Sequence, residues 1–216
     1  MINNKFWNYF NDIAAPQLQH RSRSFRMAFE YLQNLNRPVC IVETGCVRDT
    51  RIDAFTTEGQ STVLFDKFSE SVLGTVIHSV DINDSNVETC KSLVSDRVQV
   101  HTSDSVNFLR NECSKLIQPF TSIDLLYLDS YDVDMENAHD AAIHCMNELF
   151  AASHLITENT LILIDDSPAT ASIIEGSYKR ITPFVTNGKG KYVASYMQSI
   201  GRTPFIKGFQ IAWLGL

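Results

Sequence analysis

Carboxylates follow three short apolar segments of this sequence, and they are the side chains whose types and spacing could do chemistry. The segments are HSVDIND at residues 78–84, IDLLYLDSYD at 123–132 and LILIDDSP at 161–168. Each apolar part has the length and composition of a strand buried on both faces of a sheet. Because the carboxyl ends of parallel strands form the ligand crevice of an open α/β sheet, we expect these acids to share one rim. They are Asp81, Asp129, Asp165 and Asp166.

The acids divide into two kinds of candidate site. Asp81 ends a predicted strand where a carboxylate can accept both hydrogen bonds from a ribose diol. Asp129, Asp165 and Asp166 can supply three hard oxygen ligands to Mg²⁺. The alternatives are that Asp81 caps a helix, that Asp166 caps the following segment, and that Asp165 faces solvent.

Further polar residues lie beside these strand ends. Asp104 could accept a hydrogen bond from the amine of adenine, whereas Ser105 could equally be only a helix N-cap. Asp132 and His139 are candidate proton acceptors near the metal positions. His144 lies five residues after His139, so the two do not share a helix face, and His144 is interpreted as structural.

A glycine turn follows the first predicted strand. Gly45 would let the backbone approach a ligand, and Glu43 could anchor the loop or a cationic group of the ligand. The next glycine of this region is Gly59, so the sequence lacks the dense glycine loop that cradles a pyrophosphate. A cofactor without phosphates is therefore favoured over a dinucleotide.

Apolar periodicity predicts the elements that must position these residues. The predicted strands are residues 39–42, 75–81, 98–102, 123–129 and 160–165. The helices between and after them are predicted at 60–71, 85–95, 105–116, 136–152 and about 191–200. Residues 203–216 are predicted to form two further strands across a short link at Lys207-Gly208, which makes them antiparallel. The prediction is a doubly wound α/β domain over 37–216, with seven mostly parallel strands and an antiparallel last strand, preceded by a helical extension over 1–36 with a possible cap at Ser24.

Charge and composition limit the classes of partner. The 216 residues include 44% hydrophobic and 20% charged residues and carry a net charge of −7, which argues against a nucleic-acid binder. The basic cluster formed by His20, Arg21, Arg23 and Arg26 is interpreted as a solvated helix face.

Cysteine usage and the termini bear on the compartment. The five cysteines form no CxxC pair, are interpreted as buried, and suit a reducing cytoplasm. Neither a signal peptide nor an apolar run near the roughly 20 residues of a membrane span is present, so we expect no membrane partner. Aromatic residues at 6–10 could pack on a second copy of the chain or close over the site.

Five short motifs, taken in order, resemble the class I S-adenosylmethionine-dependent methyltransferases. They are VETG at 42–45, GQST at 59–62, SVDI at 79–82, LYLDSYD at 126–132 and LIDD at 163–166. Within that superfamily the chain is most similar to the metal-dependent macrocin and catechol O-methyltransferases, and the resemblance spans residues 38–216. It implies a Rossmann-like sheet and methyl transfer to a hydroxyl of a sugar or another small molecule.

The resemblance also implies a role for each matched position. The cofactor positions would be Glu43, Gly45, Gly59, Gln60, Ser61, Thr62, Asp81, Asp104 and Ser105. Those of Mg²⁺ would be Asp129, Asp165 and Asp166. Two departures stand out: Asp132 occupies the place of the catechol-type lysine base, and a long loop at 46–58 replaces a compact glycine loop.

Three other functions fit a sheet of this kind. A nicotinamide-dependent oxidoreductase would need a phosphate-cradling glycine loop, and a metal-dependent phosphohydrolase would need an aspartate pair after the first strand, where this chain has Glu43. The third alternative is a cofactor-binding domain without catalytic activity, which would bind the cofactor but methylate no acceptor.

Overall fold

Seven strands form one sheet in the computed structural model, which describes residues 4–51, 55–58, 60–134, 136–170 and 185–216. The strands of this sheet are β1 (Cys40–Thr44), β2 (Val76–Asp81), β3 (Val98–Thr102), β4 (Leu125–Leu128), β5 (Leu161–Ile164), β8 (Ile206–Lys207) and β9 (Ile211–Leu214). A separate pair consists of β6 (Ala169–Thr170) and β7 (Val185–Thr186).

The strand order confirms the predicted doubly wound sheet. In space the strands follow the order β3-β2-β1-β4-β5-β9-β8. Strands β1 to β5 are parallel, whereas β9 is antiparallel to β5, with Trp213 opposite Ile162. The chain leaves β1 toward β2 on one side and returns to β4 on the other. The carboxyl ends of β1 and β4 therefore flank the topological switch point, where such sheets bind ligands.

Helices cover both faces of the sheet. They are α1 (Asn4–Tyr9), α2 (Ala15–Leu18), α3 (Ser22–Asn34), α4 (Phe55–Glu58), α5 (Ser61–Ser69), α6 (Asp84–Leu93), α7 (Ser105–Asn107), α8 (Cys113–Leu116), α9 (His139–Ala152) and α10 (Lys191–Ser199). Single π-helical turns at Phe10–Ala14 and Phe108–Glu112 and 3₁₀ turns at Gln19–Arg21 and Ser153–Leu155 complete them. In the described part of the chain, no helix is long and apolar enough to cross a membrane.

Alternation along the strands produces two hydrophobic cores. In β4, Leu125 and Tyr127 point into one core, and Leu126 and Leu128 point into the other. All four side chains are buried, because helices pack on both faces. The five cysteines are buried and free, as predicted.

The N-terminal helices belong to the first of these cores. Phe6 and Phe10 are buried, and the Phe6 ring lies 4.8 Å from the Phe29 ring of α3. The Phe25 ring in turn lies 5.6 Å from the ring of Tyr127 in β4. Phe6 and Phe10 are thus covered by their own chain, and the described part of the extension is packed directly against the sheet.

Two local boundaries differ from the prediction. Ser24 lies inside α3 and does not cap it, because its hydroxyl donates to the carbonyl of Arg21 one turn earlier, at 3.0 Å. Helix α9 begins at His139, three residues later than predicted. Asn83 is the N-cap of α6 and Asp104 that of α7, and the side chain of each accepts a backbone hydrogen bond.

Candidate active site

Two adjoining cavities open at the carboxyl ends of the parallel strands. The first has a volume of about 190 Å³ and is lined by residues that follow β1, β2, β4 and β5. The second has a volume of about 260 Å³ and extends toward the loop after β3. Asp81 and Ser130 line both, so one elongated ligand can occupy the two together.

Gly45 shapes the first cavity where β1 ends. Its φ of +80° lies in the left-handed region, and its amide donates to the carbonyl of Val80 at 2.8 Å. A Cβ atom at this position would lie 2.5 Å from the carbonyl oxygen of Asp129. Only glycine lets the β1 turn approach the end of β4 this closely.

Asp81 is fixed between the two cavities. One carboxylate oxygen accepts from the amide of Asn83 at 2.8 Å, and the other lies 3.4 Å from the amide of Cys46. The side chain is partly exposed and lines both cavities. It remains able to accept hydrogen bonds from a ligand.

The second cavity contains both residues predicted after β3. Ser105 and Asp104 line it, and Asp104 also caps α7 by accepting from the amide of Asn107 at 2.8 Å. His144 lines it too and lies 3.0 Å from the Ser105 hydroxyl, and its interpretation as structural stays a prediction. A hydrogen bond with Glu148 raises the pKa of His144 above its ordinary value.

Glu43 is buried beneath the first cavity. Its carboxylate accepts from the hydroxyls of Ser61, Thr62 and Ser79, the last two at 2.6 Å. Of this group, Ser61 lines the cavity, whereas Glu43 and Thr62 are not among the lining residues. Glu43 therefore holds Ser61 in place, and its own contact with a cofactor stays a prediction.

Gln60 and Thr62 hold the long loop that replaces the compact glycine turn. Thr62 accepts from the amide of Val47 at 3.0 Å, and the Gln60 amide donates to the carbonyl of Arg51 at 2.7 Å. Neither is among the residues that line the first cavity. Gly59 lies outside the described residues.

The buried position of Glu43 predicts a pH-dependent stability. Burial raises its pKa from the ordinary 4.5 to about 7, although the three hydroxyl hydrogen bonds oppose the shift. The folded protein therefore retains a proton that the unfolded chain releases, and stability is lost as pH rises from about 4.5 to about 7. In urea unfolding, the free energy of unfolding of Glu43→Gln should rise relative to that of wild type by up to about 2–3 kcal/mol between about pH 5 and about pH 8.

A matched control for this prediction is Glu88→Gln, because Glu88 is an exposed glutamate of α6. That variant should follow the wild-type pH dependence. A Glu43→Gln profile parallel to wild type would contradict the raised pKa.

The three carboxylates predicted to bind metal are held by two cations. The Arg21 Nε atom lies 2.9 and 2.8 Å from the two oxygens of Asp165, and Nη2 lies 2.9 Å from Oδ1 of Asp166. The Lys189 ammonium contacts Oδ1 of Asp129 and lies 3.2 Å from Oδ2 of Asp166. Burial alone would lower the pKa of Lys189, but these carboxylates raise it above its ordinary value. Both cations therefore stay charged at neutral pH.

These contacts do not leave a site that fits Mg²⁺. Asp165 is fully buried, and its Oδ2 also accepts from the hydroxyl of Tyr127 at 2.7 Å. Among the described residues, no three His, Cys, Asp or Glu side chains are grouped to hold a metal ion. The predicted magnesium site stays a prediction, and its carboxylates are engaged by protein cations in this structure.

Both cations were missed by sequence reasoning. Arg21 is not on a solvated face: its side chain is only 16% exposed, so that interpretation is wrong for this residue. The signal for Lys189 lies in its two flanking glycines. A Cβ at Gly188 would lie 1.8 Å from the carbonyl oxygen of Asp166, so this glycine allows the loop to approach the end of β5.

The two predicted proton acceptors occupy different places. Asp132 lines the first cavity and pairs with Arg48 at 3.0 Å, which lowers the pKa of Asp132. His139 starts α9, lies 2.6 Å from the hydroxyl of Tyr192, and is not among the residues that line either cavity. The described arrangement thus brings Asp132 to the rim and leaves His139 outside it.

Comparison with solved structures finds methyltransferases of the same fold. CalS11, a TDP-rhamnose 3'-O-methyltransferase of calicheamicin biosynthesis, has a TM-score of 0.57 at 12% identity, covering 96% of this chain and 86% of that one. MycE, a methyltransferase of the mycinamycin pathway solved with Mg and SAH, has a TM-score of 0.44 at 20% identity, covering 70% of this chain. The match spans only 37% of the MycE chain. No protein-family model and no curated protein sequence matches this chain. The similarity to CalS11 shows that this chain has a Rossmann-like fold.

Proposed function

We propose that this protein is an S-adenosylmethionine-dependent methyltransferase that methylates a hydroxyl of a small molecule. The observation that carries the proposal is the pair of adjoining cavities at the switch point, with Asp81 between them. An adenosine cofactor would place its adenine in the second cavity, near Asp104 and Ser105. Its ribose would bind Asp81, and its methionine part would lie in the first cavity beside Gly45 and Ser61.

The charge of the first cavity supports a cationic cofactor. Four carboxylates line it, against three cationic side chains. The carboxylates are Asp81, Asp129, Asp132 and Asp166, and the cations are Arg21, Arg48 and Lys189. The carboxylates at this rim would stabilise a sulfonium ion. The phosphates of a nicotinamide dinucleotide would find no dense glycine loop after β1 to cradle them.

The reaction needs no covalent intermediate on the protein. The acceptor oxygen attacks the methyl carbon in line with the sulfonium, so an O–C bond forms as the C–S bond breaks and S-adenosylhomocysteine leaves. Holding the two reactants in this geometry is the main contribution of the site. Asp132 lines the cavity and would take the hydroxyl proton. The lowered pKa of Asp132 is tolerated, because a methylated oxygen that still carries its proton is a strong acid.

A sugar or another polyhydroxylated molecule suits the site as acceptor. Carboxylates accept hydrogen bonds from hydroxyl groups, and the first cavity is rich in them. CalS11, whose fold this chain shares, is a TDP-rhamnose 3'-O-methyltransferase and thus acts on a sugar. Mg²⁺ would add a Lewis acid for the hydroxyl, but the engaged carboxylates do not fit the ion, so no step is assigned to it.

Binding of S-adenosylhomocysteine tests the proposal directly. Isothermal titration should give a dissociation constant in the micromolar range, of order 1–100 μM, because the ligand would fill both cavities. NAD⁺ and NADP⁺ in the same titration should give no heat of binding. Binding of either nucleotide without S-adenosylhomocysteine would overturn the proposal in favour of an oxidoreductase.

Catalysis is tested separately with S-adenosylmethionine that carries a labelled methyl group. Label should move to at least one member of a panel of sugars, nucleotide sugars and phenols. Cofactor binding without transfer to any of them would indicate a cofactor-binding domain without catalytic activity.

A further inference from the structure

Three carboxylates and two protein cations form one closed cluster at the rim of the first cavity. Asp166 joins the two halves, because its Oδ1 binds Arg21 and its Oδ2 binds Lys189. Asp165 lies on the Arg21 side and Asp129 on the Lys189 side. The cations thus engage every carboxylate that the resemblance assigns to Mg²⁺.

The cations also contact five of the six oxygen atoms of these carboxylates. Both oxygens of Asp165 contact Nε of Arg21, and Oδ1 also accepts from the backbone amide of Asp166 at 2.8 Å. Both oxygens of Asp166 are paired, and Asp129 uses Oδ1 for Lys189. Since Mg²⁺ demands near-octahedral oxygen coordination at about 2.1 Å, its coordination by all three carboxylates would require a cation to leave.

Burial makes the departure of either cation unfavourable. The side chain of Lys189 is 5% exposed, and its loop is held at both flanking glycines. The amide of Gly190, the second of them, donates to the Ser167 hydroxyl at 2.8 Å. Arg21 is also packed against the Phe209 ring, with its guanidinium carbon 4.7 Å from the ring centroid. Both cations are therefore built into the fold.

We propose that Arg21 and Lys189 supply the positive charge of the acceptor site, so that the site binds its acceptor and works without a divalent metal ion. This inference rests on the proposed methyltransferase function. Lys189 holds Asp129 and Asp166 at the cavity edge. Arg21 lines the cavity, and within the described part of the chain its Nη1 atom makes no hydrogen bond, which leaves it available for an acceptor oxygen. Lys189 is thus a positioning residue, whereas Arg21 would contact the acceptor itself.

A Mn²⁺ titration tests the proposal without an activity measurement. Binding is measured as the loss of the electron paramagnetic resonance signal of free Mn²⁺. Wild-type protein should leave the free Mn²⁺ signal intact, with a dissociation constant above about 1 mM. Lys189→Met should bind Mn²⁺ at least about tenfold more tightly, because it frees oxygens of Asp129 and Asp166. Lys191→Met, which removes an exposed lysine two residues away, should behave as wild type.

Two outcomes of the Mn²⁺ measurement would overturn the inference. One is Mn²⁺ binding by wild type with a dissociation constant below about 0.1 mM, which needs no variant and holds even if Lys189→Met fails to fold. The other is a folded Lys189→Met variant that binds Mn²⁺ no better than wild type. S-adenosylhomocysteine titrated in EDTA and in Mg²⁺ should give the same affinity within about twofold. If S-adenosylhomocysteine bound in neither buffer, the methyltransferase function itself would be rejected. If it bound more tightly in Mg²⁺ than in EDTA, only the inference of a metal-free site would be rejected.

Discussion

Replacement of Gly45 by alanine is expected to destabilise the protein by about 2–5 kcal/mol and to displace the end of β4. Two effects add at this position. The left-handed backbone at φ +80° disfavours any side chain, and the new Cβ would lie 2.5 Å from the carbonyl oxygen of Asp129. That carbonyl is part of the backbone at the end of β4 and cannot rotate away. Relief of the contact must therefore move β4 and its carboxylate.

Gly201→Ala separates the two effects. Gly201 has a φ of +76°, but a Cβ there would meet no atom within 4 Å. This variant should lose only about 1–2 kcal/mol from the backbone conformation. Urea unfolding at constant m-value measures both changes. Equal losses in the two variants would contradict the close approach of the β1 turn to β4.

Replacement of Asp81 by alanine is expected to weaken S-adenosylhomocysteine binding by at least about 100-fold. The change would remove the two proposed hydrogen bonds between a charged carboxylate and the ribose hydroxyls, each worth about 1.5–3 kcal/mol. It also releases the amides of Cys46 and Asn83, which the carboxylate holds at 3.4 and 2.8 Å. Isothermal titration of the variant checks the expected loss.

Asp84→Ala is the matched control for Asp81, because Asp84 is an exposed aspartate in the first turn of α6. Its affinity for S-adenosylhomocysteine should stay within about twofold of wild type. Wild-type affinity in a folded Asp81→Ala protein would show that Asp81 does not bind the ribose. The proposal that the protein binds an S-adenosylmethionine cofactor would still stand.

The fold could be predicted from the sequence because its signal is local. Strands such as β4 and β5 consist of consecutive apolar residues, which only a strand covered on both faces can bury. The reversed last strand also followed from a local feature, the short link at Lys207-Gly208. The ends of helices were less predictable. A serine hydroxyl can either cap a helix or bond back to a carbonyl within it, and Ser24 does the second, donating to the carbonyl of Arg21.

The candidate site could be predicted only in its locally encoded part. Gly45 and Asp81 stand directly at strand ends, so the strand assignment placed them on the rim. Arg21 pairs with Asp165 across 144 residues of sequence, and no spacing within either segment reveals that contact. The same holds for Lys189 and Asp129, which are 60 residues apart. Acids at strand ends predict where charge accumulates, but the groups that neutralise it come from elsewhere in the chain.

The packing of the N-terminal helices against β4 has a consequence for how a site of this kind is assembled. The sheet contributes the carboxylates and the cofactor cavity, while a segment outside the sheet contributes Arg21 through Gln19–Arg21. If the proposed function holds, one part of the acceptor electrostatics, Arg21, is encoded apart from the strands that form the cofactor cavity. A substitution at Arg21 alone could then change acceptor preference without touching the residues of the second cavity, because Arg21 lines only the first of the two.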